Sequence, residues 1–129
     1  MDYMERALAL AQQALGSVSP NPAVGAVLVR DGQIVGEGFT HPPGGPHAEA
    51  VALEQAAAQA EGTTLYVTME PCCHHGLTPP CTNALVQSGV REVHLTVLDP
   101  NPLINGKGKR QLEEAGVQVV VGEHQNEAR

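Results

Sequence analysis

The stretch "TLYVTMEPCCHHGLTPPCTNALVQSGVREVHLTVL", residues 64–98, decides the fold. It opens on a run rich in β-branched and aromatic residues, "TLYVT" (64–68), and closes on another, "EVHLTVL" (92–98). Between them, residues 81–88 predict a short helix that Gly89 stops. Strand, helix and strand in that order predict a crossover connection and two parallel neighbours in one sheet. Downstream, a short helix near 107–115 and the strand "VQVVV" (117–121) continue the alternation. Upstream, the alanine-rich residues 47–60 predict a helix, and "AVGAVLV" (23–29), Asp31-Gly32 and "IVGEG" (34–38) predict a β-hairpin. Further upstream, Met4, Ala7, Leu8, Ala11 and Leu15 recur at helical spacing until Gly16. The expected fold class is α/β: a largely parallel sheet between helices, opened by an antiparallel hairpin. Residues 1–122 form the expected domain, and the polar residues 123–129 read as a tail or the start of a linker.

A chain of 129 residues buries about two-thirds of the surface its unfolded form exposes, so it is expected to fold without a metal or disulfides. Its net charge of −7 argues against duplex nucleic acid, whose phosphates demand clustered Lys and Arg. One Phe, two Tyr and no Trp leave few platforms for stacking single-stranded bases. The N-terminal "MDYMERALALAQQALG" sustains no apolar run and reads as neither signal peptide nor membrane span. No secretory route is visible, so the expected compartment is the reducing cytoplasm, where the three cysteines suit metal ligation or free thiols.

The chemistry starts at "PHAEA", where His47 and Glu49 open the second helix. Cys72 and Cys81 lie just beyond the end of a predicted parallel strand, and the C-terminal ends of strands are where sites assemble in open α/β sheets. One imidazole and two thiolates supply three ligands of a tetrahedral zinc and leave the fourth position to water, the open geometry of a catalytic site. A closed structural site would recruit His74 or Cys73 as a fourth ligand. Zinc lowers the pKa of its water to about 7, and a carboxylate two residues from the histidine is suited to shuttle the proton. His-x-Glu followed by Pro-Cys and a second Cys is the zinc-deaminase pattern, here with a longer spacing between the cysteines.

That longer spacing carries a resemblance. "SPNPAVGAVLVRDGQIVGEG", "HAEA", "TLYVTMEPCCHHGLTPPCTNAL" and "LDPNPLINGKG" together resemble the deaminase domain of riboflavin biosynthesis, diaminohydroxyphosphoribosylaminopyrimidine deaminase, through essentially the whole chain. The resemblance implies a three-layer α/β/α cytidine deaminase-like fold with a five-stranded mixed sheet. It implies hydrolysis of the 2-amino group of 2,5-diamino-6-ribosylamino-4(3H)-pyrimidinone 5′-phosphate, releasing ammonia. By motif position it makes His47, Cys72 and Cys81 the Zn2+ ligands and Glu49 the proton carrier. Asn21, Asp99 and Asn101 correspond to substrate-contacting positions, with His41 and His74 as further candidates. A homo-oligomer acting on a small pyrimidine ribotide, with no nucleic-acid or membrane partner, completes the expectation. The family's frequent C-terminal reductase domain has no counterpart here, so no dinucleotide cofactor is expected.

Two positions depart from the family. Leu77 stands where it has Arg or Lys, and Thr40 where it has His, with His41 one place later. Both are candidates for contact with the phosphoribosyl end, and leucine cannot pair with phosphate as arginine does. Lys107 or Lys109 is then the candidate source of charge, or else the substrate is a different aminated base, nucleoside or heterocycle. A non-catalytic zinc scaffold is the third reading, and Glu49 argues against it, because a structural site has no use for that carboxylate. Outside the motifs the plainer readings hold: His94 as a packed or surface residue, Cys73 as a small neighbour, and the alanine stripe as close helix-to-sheet packing.

Overall fold

The computed structural model describes residues 3–14, 24–39, 48–69, 81–97 and 106–122, with positions 13, 14, 69, 81–83, 97 and 107 described by their backbone alone. In chain order the elements are α1 (Tyr3–Ala14), β1 (Gly25–Arg30), β2 (Gln33–Phe39) and α2 (Ala48–Ala56), the last ending in a 3-10 turn (Ala57–Ala60). They continue with β3 (Thr64–Met69), α3 (Cys81–Gln87), β4 (Glu92–Val97), α4 (Lys107–Glu114) and β5 (Gln118–Val121). The strands form one sheet in the order β2-β1-β3-β4-β5. As the crossover pattern predicted, β3, β4 and β5 are parallel, with Leu65 opposite Val93 and Val93 opposite Val119. The hairpin joins through its first strand: β1 runs antiparallel to both β2 and β3, with Ala26 opposite Gly38 on one side and Val67 on the other.

Asp31 and Gly32 close the hairpin with φ of 53° and 76°, the pair of positive angles that a two-residue turn matched to strand twist requires. The register then shifts between Leu28 and Val29, whose partners are Gly36 and Ile34, a bulge that adds local twist.

Alternation along the strands divides the core into two layers. On one face Val27 and Val29 pack against Met4, Ala7 and Leu10 of α1. On the other, Ala26, Leu28, Leu65, Val67, Val93 and Leu95 meet Ala48, Ala52 and Ala56 of α2, Leu85 of α3 and Leu112 of α4. The result is the expected α/β/α arrangement, with α1 alone among the described helices on its side. None of the described helices is long and apolar enough to cross a membrane.

α3 and α4 end in the same way. Gly89 N–H donates to Val86 O and Val90 N–H to Leu85 O; Gly116 N–H donates to Glu113 O and Val117 N–H to Leu112 O. These paired bonds satisfy the last carbonyls of each helix and lead the chain directly into the next strand. Val90 and Val117, which follow the glycines, are buried in the same core as Leu85 and Leu112.

The sheet therefore has two unlike ends. At the turn end lie Asp31-Gly32 and the tight connections into β3, β4 and β5. At the finishing end, β2, β3, β4 and β5 all stop and β1 begins.

Candidate active site at the finishing end of the sheet

Helix α2 starts at the finishing end. Its first turn lies over Gly38, near the close of β2, and its next turn lies over Gly36, so the helix runs back toward the turn end. Glu49 is the second residue of α2 and is 5% exposed. Carboxylates are almost never that buried unless paired or placed in a site, and an acidic group in the first turn suits the helix dipole.

Helix α3 starts at the finishing end as well. Its far end is tied to the approach to β3, where Gly62 N–H donates to Gly89 O at 2.8 Å and Arg91 N–H to Thr63 O at 2.9 Å. Cys81, the first residue of α3, consequently heads the helix beside the end at which β3 finishes, and α2 and α3 are in contact. Gly25 N–H donates to the Thr68 hydroxyl at 3.2 Å, a buried bond joining the start of β1 to the close of β3 at this same end. Thr68 is 5% exposed, and nothing in its sequence context marked it.

Glu49 is thus described in full and Cys81 by its backbone. His47, Cys72, Asn21, His41, His74, Asp99 and Asn101 lie outside the described residues, as do Thr40, Leu77 and Cys73. Their places in the chain can still be bracketed. The intervals 15–23, 40–47, 70–80 and 98–105 hold all of them, and each is flanked on both sides by described residues at the finishing end. Among the described residues no three histidine, cysteine or carboxylate groups cluster as a metal site.

The remaining titratable groups belong elsewhere. His94 lies in mid-strand, with its ring stacked on Tyr66 at 4.8 Å and its Nε2 3.5 Å from a Glu92 oxygen; Tyr66 in turn meets Tyr3 at 5.3 Å. It is a packed residue on the α1 side of the sheet, the first of the two readings, packed or surface, that its alternation allowed. Arg6 donates through Nε and Nη2 to the two oxygens of Glu37 at 2.6 and 3.1 Å, tying α1 to β2. The hydrogen bonding to Glu37, reinforced by its charge, holds the Arg6 guanidinium above its ordinary pKa. Lys109 donates to both oxygens of Glu113, at 3.2 and 3.1 Å, along the surface of α4.

Comparison with known proteins agrees with this geometry. Residues 1–97 match the model of the cytidine and deoxycytidylate deaminase zinc-binding region. The riboflavin biosynthesis protein RibD of Aquifex aeolicus is 53% identical over 128 residues, which are 99% of this chain and 36% of that protein. A solved structure of Acinetobacter baumannii RibD superimposes with a TM-score of 0.96 at 50% identity, covering 98% of this chain and 36% of the other. The diaminohydroxyphosphoribosylaminopyrimidine deaminase/5-amino-6-(5-phosphoribosylamino)uracil reductase of Thermotoga maritima does so with a TM-score of 0.90 at 46% identity, covering 98% of this chain and 37% of the other. The chain thus spans about a third of the length of these relatives. With the zinc-binding region matched over residues 1–97 and the mixed five-stranded sheet of the solved relatives, the chain belongs to the cytidine and deoxycytidylate deaminase family, beside the riboflavin biosynthesis proteins within it.

Proposed function

We propose that the chain is a zinc-dependent deaminase that hydrolyses the 2-amino group of 2,5-diamino-6-ribosylamino-4(3H)-pyrimidinone 5′-phosphate, giving 5-amino-6-(5-phosphoribosylamino)uracil and ammonia. The observation that carries this reading is the burial of Glu49 at the finishing end of the sheet, where every interval holding the other candidates departs. Its support in kind is the likeness to RibD proteins and to the Thermotoga deaminase/reductase. Residues 1–122 are read as the deaminase domain, 123–129 as its tail, and the active form as a cytoplasmic homo-oligomer.

His47, Cys72 and Cys81 are the residues that would hold zinc. They fit it on two grounds: imidazole and thiolate are its preferred donors, and the helices beginning at Ala48 and Cys81 start side by side at one end of the sheet. Bound there, zinc supplies a water acidified to a pKa of about 7. Glu49 accepts a first proton from the attacking water and delivers it to the ring nitrogen, then carries the second, from the new hydroxyl, to the departing amine. The oxygen–carbon bond forms at C2, the carbon–nitrogen bond breaks, and the nitrogen leaves as ammonia. Low exposure keeps Glu49 in one geometry and away from bulk water, so the proton is handed over locally. Asn21, His41, His74, Asp99 and Asn101 are assigned to the substrate.

The phosphate is the part of the substrate that Leu77 cannot hold. Lys107 or Lys109, both in the first turn of α4 at the finishing end, is assigned as the source of charge, and Lys109 would exchange its bonds to Glu113 for it. The test is ammonia release by the zinc-loaded protein from the ribotide and from the same compound without its 5′-phosphate. Turnover restricted to the ribotide is expected; equal turnover of both, or of neither, overturns the substrate assignment. Glu49→Gln should lower kcat by about 10²- to 10⁴-fold while zinc content stays at the wild-type level. A Gln variant that keeps its activity removes Glu49 from the mechanism.

A further inference from the structure

Helix α2 crosses β2 where the strand has no side chains. A Cβ added at Gly38 would collide with the carbonyl oxygen of Ala48, stand 2.7 Å from Val51 Cβ and lie 3.0 Å from the Ala52 nitrogen. At Gly36 it would collide with the carbonyl oxygen of Ala52 and come within 3.3 Å of Ala56 Cβ. The two glycines share one face of the strand, about 6.6 Å apart, and successive helical turns are about 5.4 Å apart, so each glycine receives one turn of α2. The helix matches them with its small residues, since Ala48, Ala52 and Ala56 are all buried.

Glycine is a poor strand residue, and two of them in a seven-residue strand weaken β2. Close packing explains both equally well. Only one of them lies under the turn that holds Glu49, however. We propose that Gly38 is a positioning residue for the deamination: by admitting the first turn of α2 to the surface of β2, it fixes the depth of Glu49 and of Ala48, the neighbour in sequence of His47. Gly36 performs the same steric task one turn further from the chemistry and sets stability alone. The inference rests on the role given to Glu49 above.

The test compares Gly38→Ala with Gly36→Ala in the full chain, reading melting temperature, kcat, KM and the visible absorption of the cobalt-substituted protein. Both variants are expected to melt lower. Gly38→Ala should lose about 10- to 100-fold in kcat, because misplacing a reacting group by about 1 Å costs that much, with KM within about threefold of wild type and a shifted cobalt spectrum. Gly36→Ala should keep kcat within about threefold and the wild-type spectrum. Equal losses of kcat in the two variants, or an unaltered kcat and spectrum in Gly38→Ala, overturn the proposal. If Gly38→Ala does not fold, Ala48→Ser and Ala52→Ser make the same comparison from the helix side with a single added atom; kcat should fall in the first and hold in the second, and equal behaviour overturns the proposal. A wild-type protein that binds cobalt but releases no ammonia refutes the proposed reaction, while the spectra still decide for or against Gly38. A wild-type protein that does neither refutes both.

Discussion

The two ends of the sheet are built to different rules. At the turn end the connections are short and closed by hydrogen bonds: Asp31-Gly32 in the hairpin, Gly62 and Thr63 before β3, Gly89 before β4 and Gly116 before β5. At the finishing end the connections are the intervals 15–23, 40–47, 70–80 and 98–105, and all the candidate ligands and substrate residues lie in them or on the first turns of α2 and α3. A scaffold that spends its regular bonding at one end frees the other for chemistry. The difference predicts that stability and activity respond to separate sets of substitutions.

The largest expected effect at the finishing end is the loss of turnover in Glu49→Gln, with the folded state retained. Chelation of the metal should act in the same sense, abolishing ammonia release while amide exchange in β3 and β4 stays slow, because the core is sufficient without a metal. A chelated protein that unfolds would break the comparison. The core counterpart is Leu95→Ala. Leu95 is 0% exposed within the larger cluster, so the variant should lose about 2–5 kcal/mol in denaturant titration. Its residual folded fraction should keep the wild-type KM. Smaller again is Gly116→Ala at the turn end. Gly116 has φ of 92° and open space around it, so a methyl group there meets no neighbour and the cost is conformational, about 1–2 kcal/mol. Activity at saturating substrate should be unchanged; a drop in kcat would show that the two ends are coupled.

The sequence made the turn end readable because its signals are local. Asp-Gly between alternating strands means a tight hairpin and a glycine after a helical stretch means a stop; these readings hold at Gly32 and Gly89, while Gly16 lies outside the described residues. Strand order was less accessible. Insertion of β1 between β2 and β3 depends on which faces the helices cover, and no residue in β1 states it. The alanine-rich residues 47–60 read as one helix, yet α2 ends at Ala56 and Ala57 takes φ of 50°. Propensity is overridden there by a local turn, since Thr63 donates through both its amide and its hydroxyl to Ala60 O, three residues back, and draws the chain toward β3. At the site, Glu49 and Cys81, which their residue types nominated, both stand at the finishing end, in the first turns of α2 and α3. Gly38 escaped notice because a glycine in a strand reads as weakness until the helix above it is known.

The smallest expected effect belongs to neither end. Arg6 and Glu37 join α1 to β2 on the surface, with side chains 41% and 25% exposed. Solvent screens such a pair and side-chain ordering offsets its attraction, so Arg6→Ala should cost about 0–1 kcal/mol. Glu37 raises Arg6 above its already high ordinary value, and a cation raised in the folded state contributes stability that is complete below its unfolded pKa and lost only as pH climbs through the folded one. Both values lie far above neutrality. The cost of Arg6→Ala through this charge should therefore be the same at pH 7 and pH 9, and should shrink as salt rises from about 0.01 M to about 1 M, where the screening length falls from about 30 Å to about 3 Å. Parallel denaturant titrations of wild type and variant across both series would check this. A penalty that resists salt would mean that the aliphatic stem of Arg6, rather than its charge, fastens α1 to the sheet.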